Sequence, residues 1–166
     1  MRLDQFLCST RVTLDTFVQQ KPGPKWCILH AMNYHALPFS EGRASPAQPL
    51  VTVVDDDESV RESLPGLLKE LGFAVSTFSS GRDFLESGNL SKTRCLIVDV
   101  GMPGMTGPEL HLQLKSRGEK IPVIFITARG DATLRRQLIA QGAVDCLFKP
   151  FTEQQLRVAL DTALGR

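Results

Sequence analysis

The sequence predicts a doubly wound α/β domain, a five-stranded parallel sheet with helices on both faces. Short apolar runs recur at Leu50–Val54, Phe73–Thr77, Cys95–Val98, Val123–Ile126 and Val144–Leu147, with amphipathic segments between them. No hairpin-type turn joins one run to the next, so the connections read as crossovers and the pairing as parallel. The third and fourth runs are apolar without alternation, as strands covered from both sides must be.

Each element has a local reason. After the first run and its acids, Val60, Leu64, Leu67, Leu68 and Leu71 fall at helical spacing. Pro65 interrupts that helix and is expected to kink or distort it, because it removes a backbone donor. Thr-Gly-Pro-Glu at 106–109 opens another helix, read along Leu110, Leu112 and Leu114, with Pro108 acceptable in a first turn. Leu134 and Leu138 mark a segment that Gly142 closes as C-cap. Thr152, with Glu153 and Gln155, starts the last helix along Leu156, Ala159, Leu160 and Ala163.

Everything before Leu50 differs in character. Residues 1–49 carry Pro22, Pro24, Pro38, Pro46 and Pro49, show no sustained period and end in a linker-like stretch. They are expected to form a poorly ordered or loosely docked extension to a domain at 50–166. A regulatory arm, a remnant of another domain and a start upstream of the true one at Met32 all stand open for them. A net charge of +1 calls for neither nucleic acid nor an anionic membrane. No apolar run approaches the ~20 residues that span a bilayer, and Asp4 interrupts the start where a secretory signal needs its apolar core. Cys8, Cys27, Cys95 and Cys146 show no paired spacing, so reduced thiols in a cytoplasmic protein are the simple reading. Cys27, His30 and His35 match no zinc spacing and lack a fourth ligand.

The chemistry collects at the run ends. Asp55 and Asp56 close the first run, Asp99 the third, Thr127 the fourth and Lys149 the fifth. In open α/β sheets ligands bind outside the carboxyl ends of the strands, at the switch in strand order. With the order 2-1-3-4-5 the first and third strands are neighbours, and three carboxylates, a hydroxyl and an ammonium share one rim. Buried acids need pairing, hydrogen bonds or a cation, and where these three converge only a hard metal ion is expected to hold them together. Magnesium takes one or two carboxylates and completes its shell with water and phosphate oxygens, which suits Asp56 and Asp99, with Asp55 acting through water. A carboxylate can attack phosphorus, and the metal and a lysine would neutralise the equatorial oxygens. The expectation is a magnesium-dependent phosphoryl-transfer pocket in which mutual repulsion raises at least one carboxylate pKa.

Taken singly, the same residues have plainer uses. Asp57 and Glu58 suit a helix N-terminus, Asp99 an Asx-turn, Thr127 an N-cap and Lys149 a surface charge. Arg135 and Arg136 read as a solvated helix face, and Cys146 as a small core residue.

The segments VVDDDESVR, LIVDVGMPGMTGPEL, VIFITARGD and GAVDCLFKPF together resemble the receiver domain of two-component response regulators, the CheY-like family of flavodoxin-like fold, over about residues 50–166. Receivers of nitrogen-fixation-type regulators are nearest in flavour. The resemblance implies that Asp99 accepts a phosphoryl group from a histidine kinase or phosphotransfer protein. It implies that Asp55, Asp56, Asp99 and the Gly101 carbonyl hold Mg2+. Thr127 would bond the phosphoryl oxygen in the active state, and Lys149, before a usually cis Pro150, would pair with the phosphate. A downstream protein target on the face of the fourth helix, fifth strand and fifth helix is implied too, with homodimerisation on phosphorylation, no direct nucleic-acid contact and no membrane. Two departures stand out. Cys146 stands three positions before the lysine, where the family often has an aromatic switch residue, which leaves the backbone after Thr127 as the place for a switch. Arg166 is expected to close the last receiver helix, without a DNA-binding helix pair.

Two other functions compete. An aspartate-nucleophile phosphatase of the haloacid-dehalogenase type also uses a strand-end Asp and magnesium, but needs an acid–base Asp where Gly101 stands. A purely binding or dimerising receiver has no need of the acids, Thr127 and Lys149 together. The lack of a GxxxxGK run excludes P-loop chemistry. The domain is therefore read as a phosphoacceptor switch and not as an enzyme.

Overall fold

The computed structural model describes residues 48–129 and 132–166. The extension expected at 1–49 thus lies almost wholly outside the described residues. Within them the chain forms β1 (Leu50–Val54), α1 (Glu58–Glu70), β2 (Ala74–Phe78), α2 (Gly81–Glu86), a 3-10 turn (Leu90–Lys92), β3 (Thr93–Asp99), α3 (Gly107–Ser116), β4 (Val123–Thr127), α4 (Ala132–Ala140), β5 (Asp145–Phe148) and α5 (Glu153–Leu164). All neighbouring strands pair in parallel, in the order β2-β1-β3-β4-β5. The expected fold is the observed one.

Successive strand residues face opposite sides of the sheet. On one side Val51, Val53 and Ile97 pack in a cluster with Leu64 and Leu68 of α1 and Leu156 and Leu160 of α5. On the other, Val98 and Phe125 pack with Phe84 of α2, Leu110 and Leu114 of α3 and Leu138 of α4. This double cover explains strands without a polar face. Each large apolar side chain buried there contributes about 1.5–3 kcal/mol. Side-chain caps then fix where the helices begin. Asp57 accepts the Ser59 N–H at 2.9 Å to start α1, and Thr106–Glu109 and Thr152–Gln155 form complete capping boxes on α3 and α5. Gly142, at φ +99°, follows α4 in the left-handed conformation expected of a C-terminal stop.

Several local expectations change. α1 runs unbroken through Pro65; the ring denies the Arg61 carbonyl its usual donor, but Leu64 and Leu68, buried on either side, hold the helix in place. Leu112 is no core contact of α3, for it is 54% exposed. Two residues past Leu110 lie about 200° around a helix, and the buried place beside Leu110 and Leu114 goes to His111. α2 has no counterpart in the apolar pattern because six residues are too few to show a period; its only sequence signal is Ser80, which accepts the Asp83 N–H. β3 reaches back to Thr93, whose hydroxyl meets that of Thr52 at 2.8 Å within the sheet.

Candidate functional site

Parallel register gathers the rim. Val54 stands opposite Val98, so Asp55 and Asp99 leave adjacent strands at one level. Thr127 stands opposite Phe148, which brings Lys149 to the same edge. Asp55, Asp99 and Thr127 are buried, whereas Asp56 is exposed.

Lys149 holds the centre. Its Nζ donates to Asp55 Oδ2 at 2.7 Å and to Asp99 Oδ1 at 2.9 Å. An ammonium has three donors and no acceptor, so one side chain satisfies both acids. This corrects the expectation that a metal alone would reconcile them. The other carboxylate oxygens turn to backbone: Asp55 Oδ1 accepts the Asp57 N–H at 2.9 Å, and Asp99 Oδ2 accepts the Gly101 N–H at 2.6 Å. The second of these is the Asx-turn that Asp99 also suggested. The lysine is followed by a cis Lys149–Pro150 bond.

Burial sets the electrostatics. It pushes the Asp55 carboxyl above the ordinary 3.8, ahead of the opposing Lys149 hydrogen bond, and repulsion from Asp99 contributes least. The expected rise is there, but its main cause is lost solvation and not like charge. Burial also works against the Lys149 ammonium, yet the bonds from Asp55 and Asp99 outweigh it and its pKa stands above the ordinary 10.5. Lysine thus remains charged between the acids.

The donor set suits magnesium. Asp55, Asp56 and Asp99 carboxylates and the Gly101 carbonyl are hard oxygen donors. Each oxygen of Asp55 and Asp99 has one hydrogen-bond partner and keeps a lone pair. Asp57 is committed to the cap of α1, whereas the Asp56 carboxylate is unengaged among the described residues. Among those residues, no three His, Cys, Asp or Glu side chains are grouped as a ready-made cage.

Other residues behave less as the sequence suggested. The Thr127 hydroxyl donates to the Arg129 carbonyl at 2.7 Å and accepts the Arg129 N–H at 3.1 Å. It shares the rim but bonds its own loop. Arg135 is more than a solvated charge: its Nε and Nη2 both donate to Asp145 Oδ1, at 3.0 and 2.8 Å, and pin α4 to β5. Cys95 and Cys146 are buried thiols, pushed up by desolvation to about 12 and about 11, which makes them inert packing residues.

Two contributors went unread in the sequence. A Cβ on Gly107 would stand 2.3 Å from the Asp99 carbonyl oxygen, so only glycine lets α3 begin against that backbone. Thr-Gly-Pro-Glu carried this signal but reads by itself as a helix opening. Arg61 Nη1 donates to the Asp55 carbonyl at 2.8 Å and the Asp56 carbonyl at 2.7 Å; in the sequence it is one more helix charge.

The chain matches, over residues 51–161, the family model described as the response regulator receiver domain. Response regulator protein TodT of Pseudomonas putida is 44% identical over 115 residues, which cover 69% of this chain and 51% of that protein. Transcriptional regulatory protein FixJ of Azorhizobium caulinodans is 41% identical over 116 residues, covering 70% and 55%. The chain spans about half the length of the curated relatives it matches. Among solved structures, the response regulator StyR superposes with a TM-score of 0.66 at 45% identity over 72% of this chain and 60% of that one. The crystal structure of FixJ-N gives 0.63 at 36% identity over 70% and 94%. A likeness of this strength, running from the first strand into the last helix, leads to one conclusion: the chain belongs to the response regulator receiver domain family, the signalling modules of two-component systems.

Proposed function

We propose that residues 50–166 form a phosphoacceptor receiver, preceded by an extension at 1–49, in which Asp99 is phosphorylated by the phosphohistidine of a histidine kinase or phosphotransfer protein. An Asp99 carboxylate oxygen attacks phosphorus, the P–N bond breaks, and the imidazole leaves with the electron pair. The product is an acyl phosphate. The supporting observation is the lysine bridge between two acids of unequal access: the Asp99 side chain is 12% exposed and that of Asp55 1%. Asp99 can meet a donor; Asp55 cannot. Bound by Asp55, Asp56, Asp99 and the Gly101 carbonyl, Mg2+ would offset the negative charge of the carboxylates and the incoming phosphoryl oxygens. Lys149 is within reach to pair with one of those oxygens. The Thr127 hydroxyl turns from the Arg129 carbonyl to another phosphoryl oxygen, and the 127–129 turn takes the switching role that Cys146 is too small to share.

Output goes to the α4–β5–α5 face. A groove of about 430 Å3 there is lined by Arg135, Cys146, Phe148, Pro150, Gln155 and Val158, and Phe148 and Val158 are exposed apolar side chains. We assign a downstream protein and a phosphorylation-dependent homodimer contact to this face, with no nucleic-acid contact and a cytoplasmic location. No helix of the described residues is long and apolar enough to cross a membrane.

Intact-mass analysis after incubation with acetyl phosphate and magnesium tests the reading. Wild type should gain one long-lived phosphoryl group and Asp99→Asn none. Steady phosphate release without an adduct, or an adduct on Asp99→Asn, would overturn it. Millimolar magnesium should raise the melting temperature by binding the folded state.

A further inference from the structure

Arg61 lies one turn into α1 and reaches back over the exit of β1. Its Nη1 donates to the carbonyls of Asp55 and Asp56 at 2.8 and 2.7 Å. The guanidinium is rigid and always charged, so a single nitrogen on two carbonyls ties both peptide planes to the helix. The neighbouring acids have anchors of their own: Asp55 Oδ1 accepts the Asp57 N–H, and Asp57 Oδ1 accepts the N–H and hydroxyl of Ser59. Asp56 has none for its side chain among the described residues. Its carboxylate takes its direction from the backbone that Arg61 holds.

We propose that Arg61 is a positioning residue for the metal site, holding the 55–56 backbone so that the Asp56 carboxylate stays at the rim as a ligand. This rests on the assignment of magnesium to Asp55, Asp56 and Asp99. Charge and positioning predict opposite signs here. As a through-space cation seated on the Asp55 and Asp56 carbonyls, Arg61 opposes magnesium, and removing it would tighten binding. As a clamp it supports a ligand, and losing such a support weakens metal affinity by about 10–100-fold.

Isothermal titration of the full chain with magnesium, run beside acetyl phosphate labelling at rising magnesium, separates the two. Arg61→Ala and Arg61→Gln should bind magnesium about tenfold or more weakly, and the magnesium needed for half-maximal labelling should rise by the same factor. Excess magnesium should restore labelling. Arg61→Lys, whose compact ammonium meets the carbonyls less well, should fall between, and with Arg61→Gln it carries the comparison if Arg61→Ala does not fold. Binding as tight as wild type or tighter in a folded Arg61→Ala or Arg61→Gln overturns the positioning role and leaves the phosphoacceptor reading standing. A wild type that neither binds magnesium nor takes a phosphoryl group overturns that reading, and this inference with it.

Discussion

The exits of β1 and β4 share one rim and are held in opposite ways. At β1, Asp55 accepts the N–H two residues on, Arg61 ties two carbonyls and Lys149 spans from Asp55 to Asp99. At β4, the Thr127 hydroxyl bonds only the backbone of Arg129 among the described residues. The difference shows where the rim is preset and where it can respond. A neutral hydroxyl bond is worth about 1 kcal/mol net, and a bond to a charged oxygen roughly twice that. Under the proposed phosphorylation of Asp99, Thr127 would therefore gain by trading its carbonyl for a phosphoryl oxygen. The β1–β3 side cannot shift so cheaply, because any movement there strips a partner from a buried carboxylate.

The strongest way to break this contrast is at Gly107. A Cβ there meets the Asp99 carbonyl oxygen at 2.3 Å, a backbone atom that cannot swing aside, and Gly107→Ala should cost about 3 kcal/mol in urea unfolding. A loss under about 1 kcal/mol would mean that the supposedly rigid side yields readily.

Lys149→Met should come next, at about 2–3 kcal/mol near neutral pH, below the usual value for a broken buried pair because the lysine keeps some solvent. Magnesium should recover part of the loss. The pH profile sharpens the assignment. Because the folded pKa of Lys149 is raised above 10.5, its contribution is complete below 10.5 and disappears as pH rises through the folded value. Wild type should lose that stability in alkali, and Lys149→Met should have none to lose. Asp55 is also raised, above 3.8, so its protonation favours the fold in acid, an advantage lost as pH rises through its folded pKa. The variant should therefore approach wild type on acidification.

Thr127→Ala marks the small end. It should cost about 1 kcal/mol and still accept a phosphoryl group, while the phosphorylation-dependent change at the α4–β5–α5 face is weakened. A cost equal to that of Lys149→Met would erase the distinction between the two exits.

Legibility followed the same division. The strands were readable because a run covered on both faces must be apolar throughout, and the capping box at Thr152 because its partners lie three residues apart. Asp55, Asp56, Asp99, Thr127 and Lys149 could be picked out because each ends or follows an apolar run. α2 escaped because one and a half turns show no period, and Leu112 misled because hydrophobicity alone does not say which side of a helix a residue occupies.

What the sequence determined by itself is therefore local and periodic: which segments form strands or helices, and which polar groups sit at their ends. Tertiary structure alone decided that an ammonium 94 residues away bridges Asp55 to Asp99, 50 residues from it. It also decided that position 107, where a Cβ would meet the Asp99 carbonyl, admits only glycine, and that Arg61 serves the acidic turn. The physical reason is that hydrogen-bond partners, desolvation and steric contact are fixed by distance in space. A one-dimensional pattern records distance along the chain.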